Sequence, residues 1–258
     1  MIAIRRIVAS VFCLAVAVSA QTAEELVAKN IEAKGGLDKI KAIKTVRMTA
    51  DFDAGGFKAV VGSESKRPGM VRDTFTIQGM TEIDSYDGSS GWKISPFGGK
   101  KDPELMGEDQ LRGMVEEADF DGPMVDYKTK GNTVEYMGHD QVDGDDVYKL
   151  KVTLKNGDIF YYYLDPDTYL EILVEKQIFI RGAVQESATE YGSYKPVNGV
   201  MYAFSIAQGS KNDPDSRSKV NVRKIEVNVP VDDADFKMPS GPPAKKSAEK
   251  AAAKPNSK

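Results

Sequence analysis

Cysteine, histidine and tryptophan each occur once in these 258 residues, as Cys13, His139 and Trp92. A lone cysteine excludes a disulfide within the chain, so the fold has to stand on its core. His139, in Gly138-His139-Asp140, has no second histidine and no nearby cysteine with which to hold zinc. A histidine-based triad would have to use it, and no Gly-x-Ser-x-Gly elbow or phosphate-cradling glycine loop accompanies it. Asp140, Asp143, Asp145 and Asp146 lack both the spacing and the distant glutamate of a calcium loop, and read as acidic turn residues. The expectation is a protein with no metal, no cofactor and no catalytic residues. Basic charge is also in short supply. From residue 21 to 239, acidic residues outnumber basic ones 38 to 28, which are the chain totals of 39 and 35 less Glu249, Arg5, Arg6 and five tail lysines. Nucleic acid needs phosphate-neutralising patches, so it is not an expected partner.

Long apolar runs are missing as well. The longest, Ile7–Val18, is too short to span a bilayer comfortably. It follows Arg5-Arg6 and precedes Val18-Ser19-Ala20, which is the three-part pattern of a cleaved signal peptide. The expectation is export to the periplasm with cleavage after Ala20, which removes Cys13. Residues 21–239 then form a single domain, since no linker interrupts the strand pattern. Residues 240–258 are rich in Lys, Ala and Pro without apolar periodicity and read as a disordered tail.

Strand patterns dominate what is present. Tyr148, Leu150, Val152 and Leu154 alternate with lysines and Thr153, the signature of a half-buried strand. Asn156-Gly157 suits a two-residue hairpin turn. That turn pairs Lys155 with Asp158, and therefore Val152 with Tyr161 and Leu150 with Tyr163. Tyr161 and Tyr163 then join the apolar face, while Phe160 and Tyr162 fall among the lysines. Thr45–Asp53, Phe57–Lys66, a strand marked by Val71, Phe75 and Ile77, Thr81–Tyr86 and Gly91–Ser95 read as a meander. Strands resume at Asn132–His139 and continue through Leu170–Ile180, Gln185–Tyr194, Met201–Gln208 and Lys219–Val229, about ten in all.

Two helical stretches interrupt the strands. Thr22 and Glu25 form a capping-box pattern ahead of Leu26, Val27 and Ile31, and Gly35-Gly36 ends that helix before a short one over Leu37–Ile43. Pro103–Asp119 carries Leu111, Met114, Val115 and Ala118 at helical spacing. An amphipathic helix inserted in a sheet protein needs an apolar surface to lie on. Periodicity alone admits both a fixed plug and a movable lid.

Lys66-Arg67-Pro68, then Tyr86-Asp87-Gly88, Gly91-Trp92-Lys93-Ile94-Ser95-Pro96 and the helix, resemble in order the LolA-like periplasmic lipoprotein carriers. The closing Asp233-Ala234-Asp235-Phe236-Lys237-Met238-Pro239 is similar to that family's Phe-x-x-Pro ending. The resemblance implies an α+β, mainly antiparallel fold. It is an incomplete, unclosed β-barrel covered by helices, with a hydrophobic cavity between. It favours a lid over a plug, and implies that Arg67 latches a lid built on Leu111, Met114 and Val115. Trp92, Leu150, Val152, Leu154, Tyr161, Tyr163 and Ile172 are the expected cavity lining. The expected function is a monomeric carrier for a lipid or a lipoprotein's acyl chains, with an inner-membrane transporter as donor and an outer-membrane acceptor. The alternative is a non-transporting envelope sensor or interaction module on the same fold.

Overall fold

The computed structural model describes residues 21–239. The expected signal peptide and tail lie outside them. The chain opens with α1 (Ala23–Ala33) and α2 (Leu37–Ala42). Thr22 and Glu25 close the capping box, each side chain accepting from the other's backbone N–H, at 3.2 and 2.9 Å. Gly35 links the helices at φ 117°, where a Cβ would lie 2.1 Å from the carbonyl oxygen of Gly199, so only glycine fits.

A meander follows: β1 (Thr45–Ala54), β2 (Phe57–Lys66), β3 (Met70–Ile77), β4 (Met80–Tyr86), β5 (Gly91–Ser95) and β6 (Lys100–Leu105). Next come α3 (Glu108–Glu117) and α4 (Tyr127–Lys130). A second meander comprises β7 (Thr133–Val142), β8 (Asp145–Thr153), β9 (Ile159–Leu164), β10 (Glu171–Ile180) and β11 (Ala183–Gly192). A small ribbon, β12 (Lys195–Val197) with β13 (Val200–Tyr202), precedes β14 (Ser205–Ser210) and β15 (Ser218–Val227).

Thirteen of these strands form one unclosed antiparallel sheet, ordered β6-β5-β4-β3-β2-β1-β15-β14-β11-β10-β9-β8-β7. The two meanders meet where the last strand pairs with the first, Met48 opposite Ile225. The free edges are β6 and β7, and the α3–α4 segment is the chain that joins them. A segment tying together opposite edges of a curved sheet has to cross its open side, which is why the helical insert covers the concave face. The insert is shorter than its periodicity suggests. Residues 100–105 pair with β5 instead, Trp92 opposite Leu105, and Pro103 is accepted because β6 is an edge strand.

The β8–β9 hairpin differs from its expected register by one residue. Its loop has three residues. Leu154 accepts from the Gly157 N–H at 2.9 Å and donates to the Asp158 carbonyl at 2.8 Å, with Gly157 at φ 91°. This is a type I turn followed by a left-handed glycine, the other common solution for a short hairpin. Val152 therefore faces Phe160, Leu150 faces Tyr162 and Lys151 faces Tyr161. A one-residue slip moves every side chain on one strand to the opposite face. Phe160 and Tyr162 join Leu150, Val152, Leu164 and Val174 beneath α1, where Leu26 and Val27 complete the core. Tyr163 packs with Val147, Leu173 and Ala188 on the convex side, with Tyr161 and Ile172 at its margin.

Candidate functional site: a cavity beneath a tethered helix

α3 lies against β3 and β4 through Met114 and Ala118, which pack on Val71 with Tyr86 and Met106 alongside. Its apolar stripe is wider than that contact. Leu111 and Val115 border a cleft of about 880 Å³ on the flank of the helix, together with Pro68, Tyr86 and Leu154. Beneath the segment that follows α3 lies a second cavity of about 380 Å³. Its apolar wall includes Ile40, Ile43, Met48, Phe160, Val174 and Ile225. Both volumes lie within the range of small-molecule sites.

Several side chains expected to line the cavity are elsewhere. Tyr161, Tyr163 and Ile172 are on the convex face. The first two are carried there by the three-residue turn, and Ile172 by a bulge between Glu171 and Leu173. Trp92 is buried on the convex side too. It pairs with Ser85, one residue out of step with the Val71–Tyr86 pair under α3. Its indole Nε1 donates to the Phe236 carbonyl at 2.7 Å, and the Ser85 hydroxyl donates to the same oxygen at 3.0 Å. The closing Asp233–Phe236 turn is thus an outer plug, and Phe236 is fully buried in it. Leu150 and Val152 are on the concave face but sealed beneath α1. Leu154 reaches the cleft.

The inner cavity has a polar share that periodicity did not show. Tyr162, Tyr191, Tyr194 and Tyr202 line it with Lys34, Glu171, Glu116 and Lys176. Lys34 bonds Glu171 at 2.9 Å, and Lys176 bonds Glu116. Burial opposes ionisation of Glu171, yet Lys34 holds its carboxyl below the ordinary range. Burial drives the Tyr162 hydroxyl well upward, so it stays neutral.

Arg67 sits where three parts of the covering structure meet. Its Nε donates to the Ile43 carbonyl at 2.7 Å and its Nη2 to the Ile40 carbonyl at 3.1 Å, at the end of α2. The fork also holds the buried carboxylate of Asp121, in the loop after α3, and lies over the Phe120 ring at 4.7 Å. Burial opposes the charge on Asp121, but Arg67 and Lys41 hold its pKa below the usual carboxylate range.

A second tether was not anticipated. Arg112 of α3 donates to the carboxylate of Asp158 and, through Nη1, to the Phe179 carbonyl at 2.8 Å. Asp158 is buried at the hairpin turn, where it also accepts from Phe179 N and Asn156 Nδ2. A two-residue turn leaves Asp158 opposite Lys155 at a strand end, which hid this role. α3 is thereby fastened to both meanders, to β3 by packing and to the β8–β9 turn by charge.

No family model and no curated protein matches the sequence. Solved structures do match in fold. A LolA superfamily protein from Nitrosomonas europaea is 14% identical, with a TM-score of 0.57 over 84% of this chain and 98% of its own. A DUF1329 family protein from Desulfovibrio piger gives 13%, 0.57, 84% and 98% on the same measures. An outer membrane lipoprotein-sorting protein domain from Vibrio parahaemolyticus gives 15%, 0.54, 81% and 97%. An unclosed antiparallel sheet, a helical segment crossing its open side and these matches agree: the chain has the LolA-like fold.

Proposed function

We propose that the protein is a periplasmic carrier that shields a lipid, or the acyl chains of a lipoprotein, between membranes. The observation that carries this reading is the divided stripe of α3. Met114 and Ala118 are committed to the core, while Val115 and Leu111 face a cleft that Leu154 also borders. A plug would bury the whole stripe; a helix with apolar side chains left over has room for an apolar guest. Burial of such a guest contributes ~25 cal/mol per Å² before the costs of association. Arg67 and Arg112 are the tethers that a loading step would loosen. The donor is an inner-membrane transporter and the acceptor an outer-membrane protein, and no reaction is assigned to the cavity.

The ionic and tyrosine groups inside the inner cavity favour a second reading, an envelope sensor or interaction module that carries no lipid. Organic extraction and mass spectrometry of the protein purified from its native periplasm, with titration by a fluorescent fatty-acyl probe, separates the two. Co-purifying lipid or saturable probe binding supports the carrier. Neither result leaves the module.

A further inference from the structure

We propose that a polar cleft on the far flank of α3 receives the head of the cargo, and that this head carries hydrogen-bond donors, as hydroxyls or an ammonium, rather than negative charge. The inference rests on the carrier reading and names the class of amphiphile that the carrier would take. The cleft, of about 560 Å³, lies between α3 and strands β4, β10, β11 and β14. Gln110, Gly113 and Glu117 border it, while Leu111, Arg112 and Val115 border the apolar cleft. Helical spacing puts these two sets on opposite flanks of α3. The polar cleft shares Glu116, Lys176, Tyr191 and Ile206 with the inner cavity. One elongated molecule can therefore lie with its chain against Ile206 and Val174 and its head in the cleft.

The sheet floor of this cleft is polar on a face that is apolar nearby. Register places Lys176 of β10 opposite Ser187 of β11, and Thr189 of β11 opposite Gln208 of β14. All four border the cleft. Val174, two residues before Lys176 and on the same face, belongs to the core. Among the described residues, neither Ser187 nor Gln208 has a side-chain hydrogen-bond partner. On the opposite wall, Asp84 of β4 joins none of the described ion pairs, and its Oδ1 is buried without a hydrogen-bond partner. An unpaired buried acceptor costs stability, and a donor brought by a ligand would relieve that cost.

The charges around the cleft decide which head fits. Lys176 is the one cation on its described wall, and it is already committed. Its Nζ bonds Glu116 and lies 4.9 Å over the Phe160 ring. Lys93 stands opposite Asp84 on β5, but its Nζ turns to Gln110 at 2.8 Å and to Glu104 at 3.7 Å. A carboxylate or phosphate head would meet Asp84, Glu116 and Glu117 with no free cation to receive it. A hydroxyl or an ammonium can donate to Asp84 and to the side-chain oxygen of Gln208.

The test is calorimetric titration of the complete, delipidated protein with decylamine, decyl glucoside, decanoate and methyl glucoside, each below its micelle-forming concentration. Decylamine and decyl glucoside should bind about tenfold more tightly than decanoate, the factor that one hydrogen bond to a charged group supplies. Asp84→Leu removes both acceptor oxygens at similar volume and should erase that preference. Gln208→Leu, at the exposed rim, makes the same test from the facing wall, should Asp84→Leu fail to fold. Equal affinity of the wild type for the three chain-bearing probes, or a preference that survives in the folded variants, overturns the proposal and leaves the carrier reading standing. Methyl glucoside bound as tightly as decyl glucoside also overturns it, since the cleft would then take a free saccharide. If none of the chain-bearing probes binds, the carrier reading falls and this inference with it.

Discussion

Arg67 and Asp121 are joined by two parallel hydrogen bonds, Nη1 to Oδ2 at 2.8 Å and Nη2 to Oδ1 at 2.6 Å. Their residues lie 54 apart in sequence. Arg67→Leu keeps an apolar stem but strands a buried carboxylate. The expected loss is about 2–3 kcal/mol, the range for hydrogen bonds to charged groups with one side open to solvent. A drop in urea midpoint with unchanged slope would register it. Because the Asp121 pKa is depressed in the folded protein, the pair stabilises above the ordinary carboxylate value of about 4. That contribution drains as pH falls below it. Wild type and Arg67→Leu should therefore converge in stability toward acid pH.

The hairpin register is open to a paired substitution. Phe160 is buried beneath α1, whereas Tyr161 lies at the margin of the convex cluster. Phe160→Ala should cost ~3–5 kcal/mol as a large-to-small core change. Tyr161→Ala should cost about 1 kcal/mol, the centre of ordinary point substitutions. Equal losses in denaturant unfolding would contradict the three-residue turn.

Asp158→Ala tests the second tether. The substitution leaves Arg112 without its carboxylate and frees the Phe179 N–H. α3 should then be released from the β8–β9 turn while its packing on Val71 remains. Limited proteolysis within residues 106–126 should speed up several-fold. An unchanged cleavage rate would mean that the Met114–Val71 contact alone holds the helix.

The cleft and the core separate in their response to charge. Val115→Asp places a carboxylate on an exposed cleft residue and should weaken an acyl probe at least tenfold, with stability changed by under about 0.5 kcal/mol, as for exposed sites. Met114→Asp buries that charge against Val71 and should unfold the helix contact outright. Probe affinity unmoved by Val115→Asp would place the guest elsewhere.

Alternation made the faces of most single strands readable, because side chains take opposite sides without regard to partners. The capping box at Thr22 was readable for the same local reason. Pairing between strands was not. Asn156-Gly157 is compatible with a two- or a three-residue loop, and that choice decides whether Phe160 or Tyr161 is inside. Trp92 shows a related limit. Its size marks it as buried, but which side buries it depends on the Asp233–Phe236 turn, about 140 residues onward. Arg67 stood out through a resemblance, since an arginine before proline has no periodicity to betray a partner. Asp158 looked like a solvated charge, and only the path of α3 between the sheet edges brings Arg112 to it.

The union of β1 with β15 bears on how the chain is made. Asp51 and Arg223, paired across that seam, are separated by 172 residues. Nearly the whole polypeptide has to emerge before the seam can form, and contacts so distant in sequence come slowly. Until then, β1 and β14 each present a row of unpaired N–H and C=O groups, a template for other chains. A chain ending before Ser218 would keep both meanders and the helix that spans them, yet hold two raw borders open. Such a fragment should precipitate, which makes the final strand the step at which the newly made molecule ceases to be sticky.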